Sequence, residues 1–98
     1  MLHIKVHKVE GRIILTIVDP ELIGKVFEEG DTILDLSSKF YAGKDTLIGD
    51  VDQYLKIADI INAVGEKAVN YLLDHDMVKK KDILKVRNIP HVQVVRLD

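Results

Sequence analysis

Apolar and polar residues alternate at the start of the chain. Leu2, Ile4 and Val6 interleave with His3, Lys5 and His7, the period-two pattern of a half-buried strand. Glu10-Gly11 turns the chain into Arg12–Asp19, apolar on both faces, which predicts a strand central in a sheet. Asp19-Pro20-Glu21 predicts a helix start: a carboxylate cap, proline at the first helical position, then an acid. That short helix carries Leu22, Ile23, Val26 and Phe27 and ends by Gly30. Thr32–Leu36 predicts a third strand. Ser37–Gly49 reads as a long irregular connection, of a kind that often carries function.

The longest predicted element starts at Asp50 as cap, with Gln53 closing a capping box. Val51, Tyr54, Leu55, Ala58, Ile61, Gly65, Ala68, Val69 and Leu72 recur at helical spacing and give one apolar stripe. His75-Asp76 ends it, and Met77 and Val78 fold back as apolar plugs. Ile83–Arg87 and His91–Leu97 predict two further strands, separated by Asn88-Ile89-Pro90. The order predicts an α+β fold, a two-layer α/β sandwich. Its sheet is mixed, mostly antiparallel and of about five strands, with one long and one short helix on one face.

Ninety-eight residues, 47% apolar and 31% charged, describe one globular domain spanning 1–98. The absence of cysteine excludes disulfides, thiolate nucleophiles, zinc-thiolate sites and iron–sulfur clusters. No apolar run approaches the roughly 20 residues that span a bilayer. The amino terminus also lacks the charged-then-apolar pattern of a secretory signal, so the expected location is the cytoplasm. A net charge of −2 gives no global basic field. Locally the balance differs. Residues 79–96 hold Lys79, Lys80, Lys81, Lys85, Arg87 and Arg96 against Asp82 alone, a stripe able to contact phosphates or to serve as a solvated turn.

Candidate chemistry is sparse. His3 and His7 share a strand face but stand about 13 Å apart at 3.3 Å per residue, too far for one ion, so solvated edge imidazoles and no metal site are expected. Gly24-Lys25 lacks the pattern of a phosphate loop; Gly24 reads as a packing glycine and Gly30 as an end cap. Phe40-Tyr41-Ala42-Gly43-Lys44 sets an aromatic ring beside a lysine, a modest platform for a base or phosphate, or a loop anchored by Phe40. Asn62 falls on the buried stripe, where an unpaired amide is costly. It either pins the irregular loop or binds a ligand, with Glu66 one turn on and Gly65 admitting a close neighbour. Past Pro90, His91 and Gln93 project from one face; His91 has the chemistry of a general base but no nucleophile is placed beside it.

Asp19, Leu22-Ile23-Gly24-Lys25, Phe27 and Glu29-Gly30 form the first of four motifs. Phe40-Tyr41-Ala42-Gly43, Ile61-Asn62-Ala63-Val64-Gly65-Glu66 and Ile89-Pro90-His91-Val92-Gln93 are the others. In this order they resemble the archaeal family filed as domain of unknown function 424, over nearly the whole chain. The resemblance implies a small stand-alone two-layer α/β protein with no established activity and a cytosolic role around the ribosome or RNA. It marks Lys25, Tyr41, Asn62, Gly65, His91 and Gln93 as motif residues and brings no catalytic role or cofactor. Lys44–Gly49 departs from the acidic stretch associated with that family.

Three functions follow as expectations. The first is a non-catalytic accessory factor contacting structured RNA or a ribosome-associated protein through Lys79, Lys80, Lys81, Lys85 and Arg87, with Tyr41 and Lys44 beside them. The second is a small enzyme or ligand binder built from Lys25, Asn62, Glu66, His91 and Gln93. The third is a homodimeric module using an edge strand such as Leu2–Val9 or His91–Leu97.

Overall fold

In the computed structural model, which describes residues 1–96, three tight turns lay out most of the sheet. Glu10 and Gly11 both take left-handed φ, 50° and 78°, the two-residue hairpin geometry that follows strand twist. They join β1 (Leu2–Val9) to β2 (Arg12–Val18), in register from Val9 opposite Arg12 to His3 opposite Val18. Arg87 and Asn88 repeat the turn between β7 (Leu84–Val86) and β8 (Ile89–Val95). The turn therefore sits earlier than the sequence predicts, and Ile89 and Pro90 belong to the strand. Leu97, the predicted end of that strand, lies outside the described residues.

The third turn corrects the predicted short helix. Pro20–Leu22 makes only a single 3-10 turn. Val26–Glu29 is then β3 and pairs with β4 (Thr32–Asp35) through Gly30-Asp31. Gly30 has φ of 60° at the first turn position, so it is a hairpin glycine rather than a helix cap. Gly24 has open space around it and no packing role.

The predicted long helix is three elements. Helix α1 covers Ile48–Leu55, strand β6 covers Ile60–Val64, and helix α2 covers Glu66–Asp74. Asp50 lies inside α1 and does not cap it; Leu47 holds that position, and Gln53 Nε2 instead donates to the Asp50 carbonyl. Ile60-Ile61-Asn62-Ala63-Val64 is largely apolar on both faces and rich in β-branched residues, a composition that favours a central strand. The irregular connection also holds a short strand, β5 (Lys44–Thr46).

The six-stranded mixed sheet has the order β5-β1-β2-β6-β8-β7, parallel only between β2 and β6. The edges are consequently β5 and β7. Strand β8 is internal and Leu2–Ile4 is covered by β5, which corrects the expected free edges. Both helices pack on one face, where Leu15, Ile17, Ile61 and Ala63 meet Val51, Leu55, Ala68 and Leu72. Met77 and Val78 fold against this core as expected. Tyr71 ties the helices together: its hydroxyl donates to Asp52, and His75 Nε2 lies 3.2 Å from the same carboxylate. The hydrogen bond from Tyr71 chiefly lowers the Asp52 pKa, while burial and then Asp52 raise that of Tyr71. On the opposite face the β3–β4 hairpin covers only part of the sheet, with Leu34 and Leu36 over Val18, Val64 and Val86.

Asp19 fastens the centre. Only 5% exposed, it accepts hydrogen bonds from the Ala68 and Lys67 amides at 2.8 and 3.1 Å and so closes the N-terminus of α2. It makes no side-chain bond to the 3-10 turn it precedes. Gly65 admits it. A Cβ there would stand 2.3 Å from Asp19 Cγ, and φ is 107°. Gly65→Ala is therefore expected to destabilise the protein by about 3 kcal/mol through strain and collision. Asp19→Ala should lose about 3 kcal/mol by leaving the buried Ala68 amide and the part-buried Lys67 amide without an acceptor. Urea unfolding checks both, and a loss below about 1 kcal/mol in either would contradict the role given to that residue.

Candidate functional site

Paired residues in a sheet share a face, so the registers define rows. One row across β1, β2, β6 and β8 is Lys5, Thr16, Asn62 and Gln93. The next is His3, Val18, Val64, His91 and, on β7, Leu84. The hairpin covers Val18 and Val64 and leaves part of the neighbouring polar row open. What remains is a cleft of about 290 Å³ with Asn62, His91 and Gln93 on its sheet side. Tyr41, Leu34 and Leu84 supply ring and apolar walls, and Asp82 the one carboxylate.

Tyr41 arrives on a loop that two histidines hold. Gly43 N–H donates to His3 Nε2 at 2.9 Å, so the ring proton sits on Nδ1 and faces Asp45 Oδ1 at 2.7 Å. His7 Nε2–H donates to the Phe40 carbonyl at 2.7 Å, and the two rings stack with centroids 4.5 Å apart. The expected solvated imidazoles are thus half-buried loop anchors, because β5 and the loop cover that part of β1. Phe40 also meets Tyr41 edge-on at 5.1 Å. At the loop's start Ser37 donates through both Oγ and N–H to Asp35 Oδ1, which lowers the Asp35 pKa. Burial, and then the Asp35 charge, raises the Tyr41 phenol.

Among the described residues, the side chains of Asn62, His91 and Gln93 and the Tyr41 hydroxyl have no hydrogen-bond partner. Burial lowers the His91 pKa and favours the neutral ring at pH 7. The cleft therefore presents two amides, an imidazole and a phenol, with no cation in its walls. Thr16, beside Asn62, is fully buried and its Oγ1 has no partner.

The other predicted residues separate. Glu66 begins α2 on the opposite side, where it lines a groove of about 480 Å³ with Lys80 and Lys85. The helical spacing that joined it to Asn62 does not exist, because Asn62 is on β6. Lys25 is exposed near the base of the hairpin, bonded only through its backbone to Leu22 and Leu36. Lys44 is on edge strand β5 beside a different groove, not next to Tyr41 in the cleft. Lys79 and Lys81 are exposed where a 3-10 turn (Lys80–Asp82) enters β7. Arg87 fastens its turn to the hairpin, Nε donating to the Glu28 carbonyl at 2.6 Å. Sequence reasoning passed over Leu34, Asp82 and Leu84. Thr16 carried a signal, the one polar residue in the apolar run from Ile13 to Val18.

The family described as "Protein of unknown function (DUF424)" matches residues 7–97. The crystal structure of an uncharacterized conserved protein from Methanopyrus kandleri is similar with a TM-score of 0.82 and 23% identity. The likeness covers 98% of this chain and 91% of that one, and it shows the fold. No curated protein matches the chain.

Because its folded pKa is depressed, His91 contributes stability that is present above the ordinary imidazole value near 6.5 and is lost as pH falls through the lower folded midpoint. An NMR titration should place that midpoint below about 6.5; a value above it would reverse the sign. Thr16→Val removes an unpartnered buried hydroxyl at nearly constant volume, and thermal unfolding should show a gain of about 1 kcal/mol. A clear loss of stability would mean that the hydroxyl is satisfied.

Proposed function

The chain belongs to the DUF424 family of proteins of unknown function, and we propose that it is a non-catalytic RNA- or ribonucleoprotein-associated accessory factor linked to translation in the cytoplasm. One observation carries the RNA reading. Lys79, Lys80, Lys81, Lys85 and Arg87 are exposed together on and beside the β7 edge. Among the described residues no ammonium or guanidinium group of theirs lies within 4.0 Å of a carboxylate, the Asp82 and Glu29 carboxylates being met only by the Lys79 and Arg87 backbone amides. Cations without ionic partners gain most from phosphate, because binding releases counterions and breaks no internal pair. The segment also borders the cleft on one face of the sheet and the groove beside α2 on the other.

The cleft favours binding over catalysis. Asn62 and Gln93 do not titrate near neutral pH, and among the described residues His91 has neither an orienting carboxylate nor a nucleophile in hydrogen-bond contact.

Labelled ribosomal and transfer RNA, titrated by fluorescence anisotropy at low and near-physiological salt, test the reading. Binding should weaken steeply with salt. The triple change Lys79→Glu, Lys81→Glu and Lys85→Glu should weaken it about tenfold or more and flatten the salt slope by about one unit for each phosphate left without its lysine. Unchanged affinity and slope would remove the basic edge from the function, and silence at low salt would remove RNA.

A further inference from the structure

We propose that the cleft between Tyr41, Asn62, His91 and Gln93 receives one unpaired nucleobase, held at its polar edge by the two amides and flanked by the phenol and imidazole rings. This base pocket rests on the RNA function proposed above and adds what the protein would recognise beyond phosphate.

Asn62 and Gln93 are direct partners across β6 and β8, so their Cβ atoms stand about 5 Å apart on the same face. Each carboxamide offers a donor and an acceptor, and neither bonds another side chain or the backbone among the described residues. Two such amides side by side complement a flat edge on which donors and acceptors alternate, as on a base. A sugar hydroxyl has no such extended edge, and a carboxylate would use one polarity only and prefer a cation.

Shape and charge narrow the ligand further. At about 290 Å³ the cleft lies at the small end of the ligand-pocket range, enough for one ring system and little more. Tyr41 and His91 bring to the lining aromatic rings of the kind on which unpaired bases stack. Leu84, 64% exposed and paired with His91, adds an apolar surface that a base would cover. Asp82 in the wall, with no cation opposite, opposes a phosphate inside. Its Oδ2 accepts the Lys79 amide at 3.1 Å, which sets the start of the lysine run next to the cleft. A base within would set its phosphates near Lys79, at the start of that run.

The test compares a labelled mixed-sequence oligoribonucleotide with an abasic oligomer of equal length, using the intact chain and the variants Asn62→Ala and Gln93→Ala. Gln93 is exposed, so that variant keeps its fold whatever Asn62→Ala does. The base-bearing oligomer should bind about tenfold more tightly, and either variant should erase most of that difference with the salt slope unchanged. Equal binding of the two oligomers would overturn the base pocket and leave the basic-edge function standing. A base preference that survives in Gln93→Ala would place base recognition elsewhere and also overturn it. If neither oligomer binds at low salt, the RNA function fails, and NMR titration of adenosine, cytidine, guanosine and uridine decides the cleft. Shifts at His91 and Gln93 would support a nucleobase pocket; their absence would overturn it.

Discussion

The carboxylate of Asp19 at the N-terminus of α2 is the constraint on which the architecture turns. Burying a charge is unfavourable unless donors surround it, and the first amides of a helix are such donors. The pairing ties the end of β2 to the helix that follows β6, across 48 and 49 residues of sequence. Neighbouring backbone bonds extend the joint: Asp19 N–H donates to the Val64 carbonyl and Gly65 N–H to that of Pro90. Three central strands are thereby fixed in one register, and His91 follows directly from Pro90. The cleft inherits its precision from this joint rather than from its loop.

The helices cover one face of the sheet. On the other, the four-residue strands of the β3–β4 hairpin and the following Leu36 cover Val18, Val64 and Val86, and Leu34 reaches the wall of the cleft. The next row is Lys5, Thr16, Asn62 and Gln93, polar positions of strands rich in apolar residues, with Thr16 fully buried and Gln93 exposed. Composition and coverage agree there. Polar residues occupy the row beside the one that the β3–β4 hairpin packs against.

Much of this was legible in the sequence, though not the connections that depend on distant partners. Alternation marks β1, and the apolar character of Arg12–Asp19 marks a central β2. Asp19 has the character of a helix cap, but local sequence points it at the next turn, and its actual partner is α2. The long helix failed for a related reason. Ile60, Ile61, Ala63 and Val64 are apolar on every side, so they satisfy a helical stripe as readily as a buried strand. The β-branched content and Gly65 were the available correction. Val26-Phe27 and Gly30-Asp31 likewise fit a hairpin better than the end of a helix. At the site, the shared face of His91 and Gln93 was legible from strand period. Asn62 joins them only because β6 pairs with β8, which no local pattern announces, and the same pairing separates Glu66.

The placement of charge makes the two parts of the proposed interface complementary. Phosphate contacts position a nucleic acid and carry most of the salt-dependent affinity, whereas contacts to base edges discriminate. Lysines inside the cleft would attract phosphate into the space that a base needs. Here they lie outside it, beside a wall whose one charged group is a carboxylate. A neutral imidazole fits that division, since a protonated His91 would be drawn to Asp82 and to phosphate alike. Burial lowers its pKa, and the β6–β8 pairing that places His91 opposite Val64 also brings Asn62 and Gln93 together. Strand β8 is internal and half covered, and β7 is the exposed border.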